Sequence, residues 1–407
     1  MDKREQYIDK QIIEQIMELR KQLHRIPEHS MQEVKTKQLL MDFLKSHTAL
    51  EIVDCGAWFY AVKRADDRVT TENDKTFHVS EVAAEIPEQM EEYKQPIAFR
   101  ADMDAVCGKD GKPGHFCGHD GHSSVLCGLG LYLDSRKDPL AQDVYLIFQP
   151  AEEMSPVGGS RGMLHSGYMD DVEAVFGLHV WPDLPHGKIG VKAGPLMAAT
   201  DHFTINIHGK TAHGAKPNQG IDAVVLGSQF VMAAQTIVSR KVDPLDNAVV
   251  TFGIFNAGTR YNIIAGDCTL DGTVRTLNED TRAMIEDSMR KTLDGLCLQS
   301  GATAEINYGH GYPALVNHEE DAELIRNTAI ELFGKDDVVD VKLPAMPAED
   351  FSFYLKEKKG AFVWLGTAKP EQDPVWPLHN SRFDVDEDIL WRGSSLLAQT
   401  AIDYLNK

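Results

Sequence analysis

Three short apolar runs in the first half of the chain are each followed by carboxylate or imidazole side chains. The runs cover residues 97–99, 144–148 and 174–178, and the polar residues that follow them are Asp102 and Asp104, Glu152 and Glu153, and His179. Between the first two runs, apolar residues recur at helical spacing from Val125 to Leu133. Strands that alternate with helices predict an α/β fold whose mostly parallel sheet is flanked by helices. Ligands collect beyond the carboxyl ends of such strands, so we expect the polar side chains to share one site.

Residues 199–308 show a different pattern, which predicts a second and smaller unit. The predicted elements are a strand at 203–207, a helix at 224–238, strands at 248–255 and 268–276, a helix through 285–296 and a strand at 302–308. This βαββαβ order is typical of a two-layer α+β domain. We therefore expect a discontinuous catalytic domain, residues 1–198 and 309–407, that carries 199–308 as an inserted lid or dimerisation domain. The larger domain resumes with helices near 319–333 and 388–405 and a strand at 362–365.

Two segments near the N-terminus complete the prediction of structure. Apolar residues from Ile8 to Ile26 repeat every three or four positions, which predicts an amphipathic helix that ends near Pro27. Residues 65–95 are rich in Asp, Glu, Lys and Thr and contain few large apolar groups. We interpret them as an exposed excursion, with a hairpin as one form it could take, and assign them no function.

Composition excludes several classes of function. The formal net charge of -21, with no basic run, argues against a nucleic-acid partner. No run of about 18 apolar residues is present, so we expect no membrane span. The six cysteines form no C-x-x-C pair. The first residues are charged rather than typical of a signal peptide. We expect a reduced, cytoplasmic protein.

The strongest chemical signal is the segment from His115 to His122. It contains three imidazoles, a thiol and a carboxylate within eight residues. These side chains bind borderline metals such as zinc, manganese or cobalt. An isolated pair such as Cys117 and His119 is more often a buried structural cysteine beside a surface histidine. The number of other donors in the chain favours a metal site here.

The other polar residues are ambiguous one by one. Glu152 and Glu153 follow an apolar strand, where a metal hydrolase needs one carboxylate as ligand and one as general base. Elsewhere, such a pair is usually a solvated loop. A single histidine at the end of an apolar strand, such as His179, is more often a core or cap residue, and His379, in a loop, indicates little by itself. Aspartates such as Asp104 often do no more than form turns.

Six ordered segments together resemble the aminoacylase, carboxypeptidase G and indole-acetyl-amino-acid hydrolase family of metal-dependent amidohydrolases. They are residues 99–105 (Phe-Arg-Ala-Asp-Met-Asp-Ala), 117–122 (Cys-Gly-His-Asp-Gly-His), 149–153 (Gln-Pro-Ala-Glu-Glu), 177–182 (Gly-Leu-His-Val-Trp-Pro), 209–213 (Gly-Lys-Thr-Ala-His) and 348–351 (Ala-Glu-Asp-Phe). The match is closest to the N-acyl-amino-acid amidohydrolase branch, which includes hippurate hydrolases. It runs from about residue 12 to the C-terminus, with only residues 65–95 outside it.

The resemblance implies a dinuclear metallo-exopeptidase-like catalytic domain and a role for each matching residue. Two divalent ions, zinc, manganese or cobalt, would be bridged by Cys117 and further held by four other ligands: His119, Glu153, His179 and His379. Glu152 would be the general base and later the general acid. Asp104 would orient the metal centre, and His213 would reach a substrate or oxyanion, commonly across a dimer. Asn262 and Arg275 would approach the substrate carboxylate.

The chain departs from the family at two places that border the substrate pocket. The family usually has a proline shortly after the Asp-Met-Asp-Ala segment and a longer connection to the cysteine, where this chain has Val106 and Cys107 and a short glycine-rich link. The usual Asn-Val-Ile-Pro is Asn-Ile-Ile-Ala at residues 262–265. The acyl group that the pocket accepts therefore stays open.

The sequence thus predicts an amidohydrolase that acts on small-molecule N-acyl amino acids and forms a homodimer. A dipeptidase or another peptidase with the same metal site is the alternative within metal enzymes. Thiol catalysis by Cys117, with His119 or His122 as base, is a second class. It would leave Glu152 and the other predicted ligands without a joint purpose. A non-catalytic binding protein on the same fold is a third class, disfavoured because no ligand is missing.

Overall fold

A computed structural model describes residues 8–65 and 95–406. Its α-helices are α1 Lys10–His24, α2 Val34–His47, α3 His119–Ser135, α4 Ser160–Leu164, α5 Ala223–Lys241, α6 Glu279–Ser300, α7 Glu319–Phe333, α8 Ser352–Glu357 and α9 Leu390–Leu405. Single 3-10 turns lie at Pro217–Gln219, Lys335–Asp337 and Glu387–Ile389. Among the described helices, none combines the length and the apolar character that a membrane crossing requires.

The strands follow the apolar runs of the sequence, with several short additions. They are β1 Glu51–Asp54, β2 Phe59–Lys63, β3 Ile97–Asp102, β4 Val106–Cys107, β5 Pro113–Gly114, β6 Val144–Gln149, β7 Ala174–Pro185, β8 Ile189–Val191, β9 Gly194–Met197, β10 Ala199–His208, β11 Ala212–His213, β12 Ala248–Ala257, β13 Ile263–Ile264, β14 Asp267–Thr276, β15 Thr303–His310, β16 Leu315–Asn317, β17 Val338–Asp340 and β18 Lys359–Ala368. The excursion predicted at residues 65–95 lies outside the described residues, apart from its two end positions.

The larger sheet has eight strands in the order β1-β2-β6-β3-β7-β18-β8-β17. Its centre is parallel, since β3 pairs in parallel with β6 and β7, and β7 with β18. The predicted α/β class with a mostly parallel sheet is confirmed. The antiparallel pairs lie outside this centre, where β1 and β2 form a hairpin on β6, and β8 runs against β18. A hairpin needs only a short turn, whereas each parallel pair needs a crossover.

Helices cover both faces of this sheet. Successive residues of one strand belong to different apolar clusters: Phe99 packs in the cluster that contains residues of α1, α2, α3 and α9, whereas Ala98 packs in the cluster that contains residues of α4 and α8. Helix α3 is buried along most of its length. A side chain at Gly128 would meet the Oγ of Ser394 on α9 at 2.3 Å, so only glycine permits this close packing. The packing holds the first turn of α3 at the edge of the sheet.

The smaller sheet has the order β12-β14-β10-β15, and all of its pairs are antiparallel. Its own apolar cluster includes Phe203 of β10, Phe230 of α5 and Met289 of α6. The predicted βαββαβ order is confirmed, with a small two-stranded sheet of β11 and β13 added outside it. The boundaries at residues 198 and 308, and the role of this unit as a lid or dimerisation domain, stay predictions.

Candidate metal centre

The polar ends of the central strands meet at one edge of the larger sheet. The Sγ of Cys117 lies 3.4 Å from the Nε2 of His179. The Oε1 of Glu153 lies 3.0 Å from the Nε2 of His379 and 3.8 Å from the Nε2 of His119. Donor atoms of these residues form overlapping groups within 4.8 Å, and one group also includes Glu152. The structure therefore brings together all five side chains that the sequence predicts as ligands.

The donor set suits divalent cations. The Nε2 of His119 is buried and has no hydrogen-bond partner among the described residues. Burial would lower the pKa of His119, but Asp102 and Asp104 outweigh it and raise the pKa to about 10. Burial, followed by the nearby carboxylates of Glu153 and Glu152, raises the pKa of the Cys117 thiol well above its usual range. A thiol and several acids held together in this way can all ionise only beside additional positive charge.

The cysteine motif is not one continuous loop. Gly118 has φ 84° and turns the chain from Cys117 into α3, so His119 is the first residue of that helix. A Cβ at Gly118 would lie 2.4 Å from the Cγ2 of Val180, so glycine is required sterically as well as conformationally. The motif therefore spans the end of a loop and the first turn of a helix. The tight turn still directs both side chains into the cluster.

Only His119 among the three histidines of this segment belongs to the groups that join the Cys117 and Glu153 donors. His122 lies with its Nδ1 2.7 Å from Asp102, and its Nε2 accepts the backbone N–H of Val180 at 3.0 Å. The Nε2 of His115 lies 3.2 Å from the carbonyl oxygen of Leu23. Both are buried structural histidines.

Asp104 lies directly behind His119. Its Oδ1 is 3.1 Å from the Nδ1 of His119, and its Oδ2 accepts the hydroxyl of Ser30 at 2.6 Å and the N–H of Glu153 at 3.0 Å. Burial would raise the pKa of Asp104, but the hydrogen bonds from His119 and Ser30 outweigh it and lower the pKa. An ionised partner at Nδ1 fixes the ring and leaves Nε2 as the free donor atom. Asp104 is therefore placed to orient His119, as the resemblance implies.

The two remaining histidines, His179 and His379, are each held by a hydrogen bond to a backbone carbonyl oxygen. His179 lies within β7 rather than at its end, and its Nδ1 lies 2.6 Å from the carbonyl oxygen of Val180. Its Nε2 is thereby left to face Cys117. His379 has φ 64°, and its N–H donates to the carbonyl oxygen of Phe116 at 2.8 Å. This bond joins the loop that contains His379 to the segment that contains Cys117. No local sequence pattern indicates that these two segments are close.

Glu152 faces the cavity between several acidic groups. Burial first, then the charges of Glu349 and Glu153, raises its pKa well above the usual range of a glutamate. The hydroxyl of Tyr312 donates to the carbonyl oxygen of Glu152 at 2.7 Å. The backbone N–H of Asp350 approaches the Oε1 of Glu152 at 3.4 Å. A carboxylate with a raised pKa that remains in contact with a cavity is suited to proton transfer.

Sequence reasoning assigned no role to Arg100, Glu349 or Asp350, although all three lie within the matched segments. Arg100 is fully buried and donates to Asp102 at 2.8 Å and to Asp350 at 2.7 Å, and its guanidinium lies 3.1 Å from Glu349. Burial raises the pKa of Glu349 to about 8 despite this guanidinium. Arg100 thus supplies a fixed positive charge behind an acid-rich centre.

A cavity of about 410 Å³ opens onto the centre. Cys117, Glu152, Glu153, His179 and His379 all contribute to its wall. Met197 and Leu378 supply apolar surface, and Thr200 and Arg275 of the smaller unit complete it. The cavity therefore lies between the two sheets.

The three residues predicted to meet the substrate lie in two places. Arg275 lines the cavity, and its guanidinium has no ion-pair partner in the described part of the chain; burial lowers its pKa. His213 and Asn262 are exposed and do not line this cavity. Both lie at the two-stranded β11–β13 sheet, where the N–H of Gly214 donates to the carbonyl oxygen of Asn262 at 2.8 Å.

Comparison with known proteins finds a family and several relatives that match most of this chain. Residues 98–403 match the model of the peptidase family M20/M25/M40. N-acetylcysteine deacetylase of Bacillus subtilis is 34% identical over 98% of this chain and 98% of its own length. N-acyl-L-amino acid amidohydrolase of Geobacillus stearothermophilus is 37% identical over 74% of this chain and 77% of its own length.

A solved structure gives the same result. The crystal structure of a Bacillus subtilis dinuclear metal-binding peptidase of the M20 family matches with a TM-score of 0.80 at 30% identity, and the match covers 98% of this chain and 99% of that one. The deacetylase and the M20 peptidase structure each match nearly the whole chain, and the peptidase structure has the same fold. The chain therefore belongs to the peptidase family M20/M25/M40 and is an enzyme that acts on amide bonds.

Proposed function

We propose that the protein hydrolyses the amide bond of N-acyl amino acids and releases a carboxylic acid and a free amino acid. The observation that carries the proposal is the convergence of Glu152 with four donor residues, Cys117, Glu153, His179 and His379, on one cavity that also contains Arg275. The fifth donor, His119, forms a group with Glu152 and Glu153 whose ligand atoms lie within 4.8 Å of one another. The names of two relatives, a deacetylase and an N-acyl-L-amino acid amidohydrolase, support this class of substrate.

Two divalent ions would be held by Cys117, His119, Glu153, His179 and His379. When bound, they would polarise the amide carbonyl and lower the pKa of a water molecule. We propose zinc, manganese or cobalt, because a thiolate ligand disfavours the harder magnesium ion.

Glu152 then acts as the general base. Its carboxylate takes a proton from the attacking water and returns it to the nitrogen of the departing amino acid. Its raised pKa suits this task, because it makes the carboxylate a stronger proton acceptor than an ordinary glutamate. Asp104 keeps the His119 ring in position throughout.

Arg275 binds the carboxylate of the amino-acid portion. Its charge is partly buried and forms no ion pair among the residues described, since the nearby Asp201 is paired with Arg282, so an incoming carboxylate would be a direct counter-ion. Met197 and Leu378 offer apolar contacts for the acyl portion.

The protein acts as a homodimer in this proposal. Exposed apolar side chains lie on α5 and on the edge strand β12, including Val225, Met232 and Phe255. We propose that these side chains are buried against a second copy, and that His213 and Asn262, which lie outside the cavity of their own chain, serve the cavity of the partner. Light scattering should give twice the chain mass, and Val225→Glu with Met232→Glu should give the single-chain mass.

A peptidase with the same centre is the second candidate, because the similar solved structure is named a peptidase. Thiol catalysis is disfavoured because burial and adjacent carboxylates raise the pKa of Cys117, which opposes formation of a free thiolate nucleophile.

The test is a panel of N-acetyl, N-benzoyl and longer N-acyl amino acids together with unblocked dipeptides. Metal-stripped protein is compared with protein supplied with zinc, manganese or cobalt. We expect metal-dependent release of amino acid from the blocked substrates. Turnover of dipeptides alone would assign the peptidase activity instead, and activity that survives chelation would favour the thiol.

A further inference from the structure

The segment that joins α1 to α2, residues 25–33, contacts both acidic motifs of the centre. The hydroxyl of Ser30 donates to the Oδ2 of Asp104 at 2.6 Å. The Oε1 of Glu33 accepts the backbone N–H of Ala151 at 2.8 Å. Asp104 lies behind His119, and Ala151 comes immediately before Glu152. Residues 25–33 are distant in sequence from Asp104 and Ala151, yet this one segment contacts both of them.

The carboxylate of Glu33 is directed away from its own helix. Glu33 occupies the N-cap position of α2, where an acidic side chain commonly accepts an N–H of the first turn, yet it makes no such bond. Glu28 takes that role, since its Oε2 accepts the N–H of Thr36 at 2.8 Å. The Oε1 of Glu33 is then available to the N–H groups of Met31 at 3.0 Å and Ala151 at 2.8 Å.

Both residues bound by Glu33 have a left-handed backbone. Met31 has φ 65° and Ala151 has φ 57°. Residues other than glycine keep this conformation only where their surroundings impose it. Glu33 is 4% exposed, so water does not compete for its bonds. Since Ala151 immediately precedes Glu152, its conformation sets the direction in which the acidic pair leaves β6.

We propose that Glu33 and Ser30 are positioning residues for this enzyme. Glu33 directs Glu152 and Glu153 through the backbone of Ala151, and Ser30 holds Asp104 against His119. This inference rests on the proposed function of the centre. Neither residue lines the cavity, so neither is expected to touch the substrate.

The experiment compares Glu33→Ala with Glu33→Gln in the full chain. Two quantities are measured: steady-state kcat and KM on an N-acyl amino acid, and the zinc affinity of metal-free protein in competition with a chelating dye. Glu33→Ala should lower kcat and zinc affinity about 10–100-fold each, with KM within about threefold of wild type. Glu33→Gln keeps an acceptor oxygen, so both quantities should stay within about threefold.

Glu28→Ala is the matched control because it removes a carboxylate of the same segment whose hydrogen bonds, among the residues that the structure describes, all go to Thr36 of α2. It should lower the melting temperature but leave kcat and zinc affinity unchanged. If Glu33→Ala, measured well below its melting temperature, also leaves kcat and zinc affinity unchanged, the positioning role is overturned.

A second pair of variants covers the case in which Glu33→Ala does not fold. Ser30→Ala should weaken zinc binding, and Ser30→Thr should restore it; unchanged zinc affinity in Ser30→Ala would overturn the proposal for that contact. Failure of the wild-type protein to hydrolyse any N-acyl amino acid would refute the proposed function. The zinc affinities would still decide whether these residues position the centre.

Discussion

His119 and Asp104 are joined by a contact of 3.1 Å between Nδ1 and Oδ1, and both side chains are buried. This contact directs the Nε2 of His119 towards Glu153, 3.8 Å away. The geometry of the centre therefore depends on a carboxylate that need not touch a metal ion.

Asp104→Asn should weaken metal binding about 10–100-fold, the usual effect of losing an outer partner of a ligand. An amide nitrogen at the Oδ2 position accepts neither the hydroxyl of Ser30 nor the N–H of Glu153. Chelator competition on metal-free protein measures the change. Asp110→Asn, on an exposed loop, is the control and should bind metal as the wild type does.

Glu152→Gln should lower kcat by at least about 10²–10⁴-fold and leave the metal content unchanged, because Glu152 is proposed as the base and not as a ligand. Kinetics combined with elemental analysis separate the two roles. Glu357→Gln, an exposed substitution on α8, should have no effect. A near-normal rate in Glu152→Gln would exclude the role of general base.

Arg275→Gln should raise KM for N-acetyl amino acids by about 10–100-fold, as expected for loss of a hydrogen bond to a charged group. The same variant should hydrolyse N-acetyl amino acid amides as well as the wild type does, since these substrates lack the carboxylate. An equal rise in KM for the N-acetyl amino acids and for their amides would show that Arg275 does not recognise the carboxylate.

Gly118→Ala should destabilise the protein by two separable effects. The left-handed backbone costs about 1–2 kcal/mol for a residue with a Cβ, and overlap with Val180 adds about 1–3 kcal/mol. Gly111→Ala carries the conformational cost alone, because Gly111 has φ 78° and open space around it. Denaturant unfolding of both variants measures the difference. Equal destabilisation would mean that Val180 moves aside without cost.

Glu33 should make the stability of the metal-free protein depend on pH. Burial, only partly offset by its hydrogen bonds, raises its pKa from 4.5 to about 7. The folded state therefore holds a proton that the unfolded state has released, so this contribution to stability is complete below pH 4.5 and is lost as the pH rises to about 7. The loss is about 3 kcal/mol at most.

Denaturant unfolding between pH 5 and about 8 tests this expectation. The free energy of unfolding of the wild type should fall relative to that of Glu33→Gln as the pH rises, because glutamine does not titrate. Parallel curves for the two proteins would show that the pKa of Glu33 is not raised in the folded state.

The sequence by itself determined the class of fold and the chemical types in the site. Apolar runs such as residues 144–148 specify buried strands because their hydrophobicity and length suit a sheet covered on both faces. The same patterning predicted α3, α7 and the βαββαβ unit. The residue types around Cys117 predicted metal chemistry because few other functions need thiol, imidazole and carboxylate groups together.

Only the tertiary structure decided which of these groups meet. His379 reaches Glu153 because its backbone bonds to Phe116, a contact between segments more than 200 residues apart that no local pattern encodes. His122 resembles His119 in sequence but faces Asp102 instead, because the first turn of α3 directs the two rings differently. The roles of Arg100 and Glu33 could not be predicted from the sequence for the same reason, because they bond to residues of other elements. Spacing along the chain predicts local structure, whereas the direction of each side chain depends on how distant elements pack.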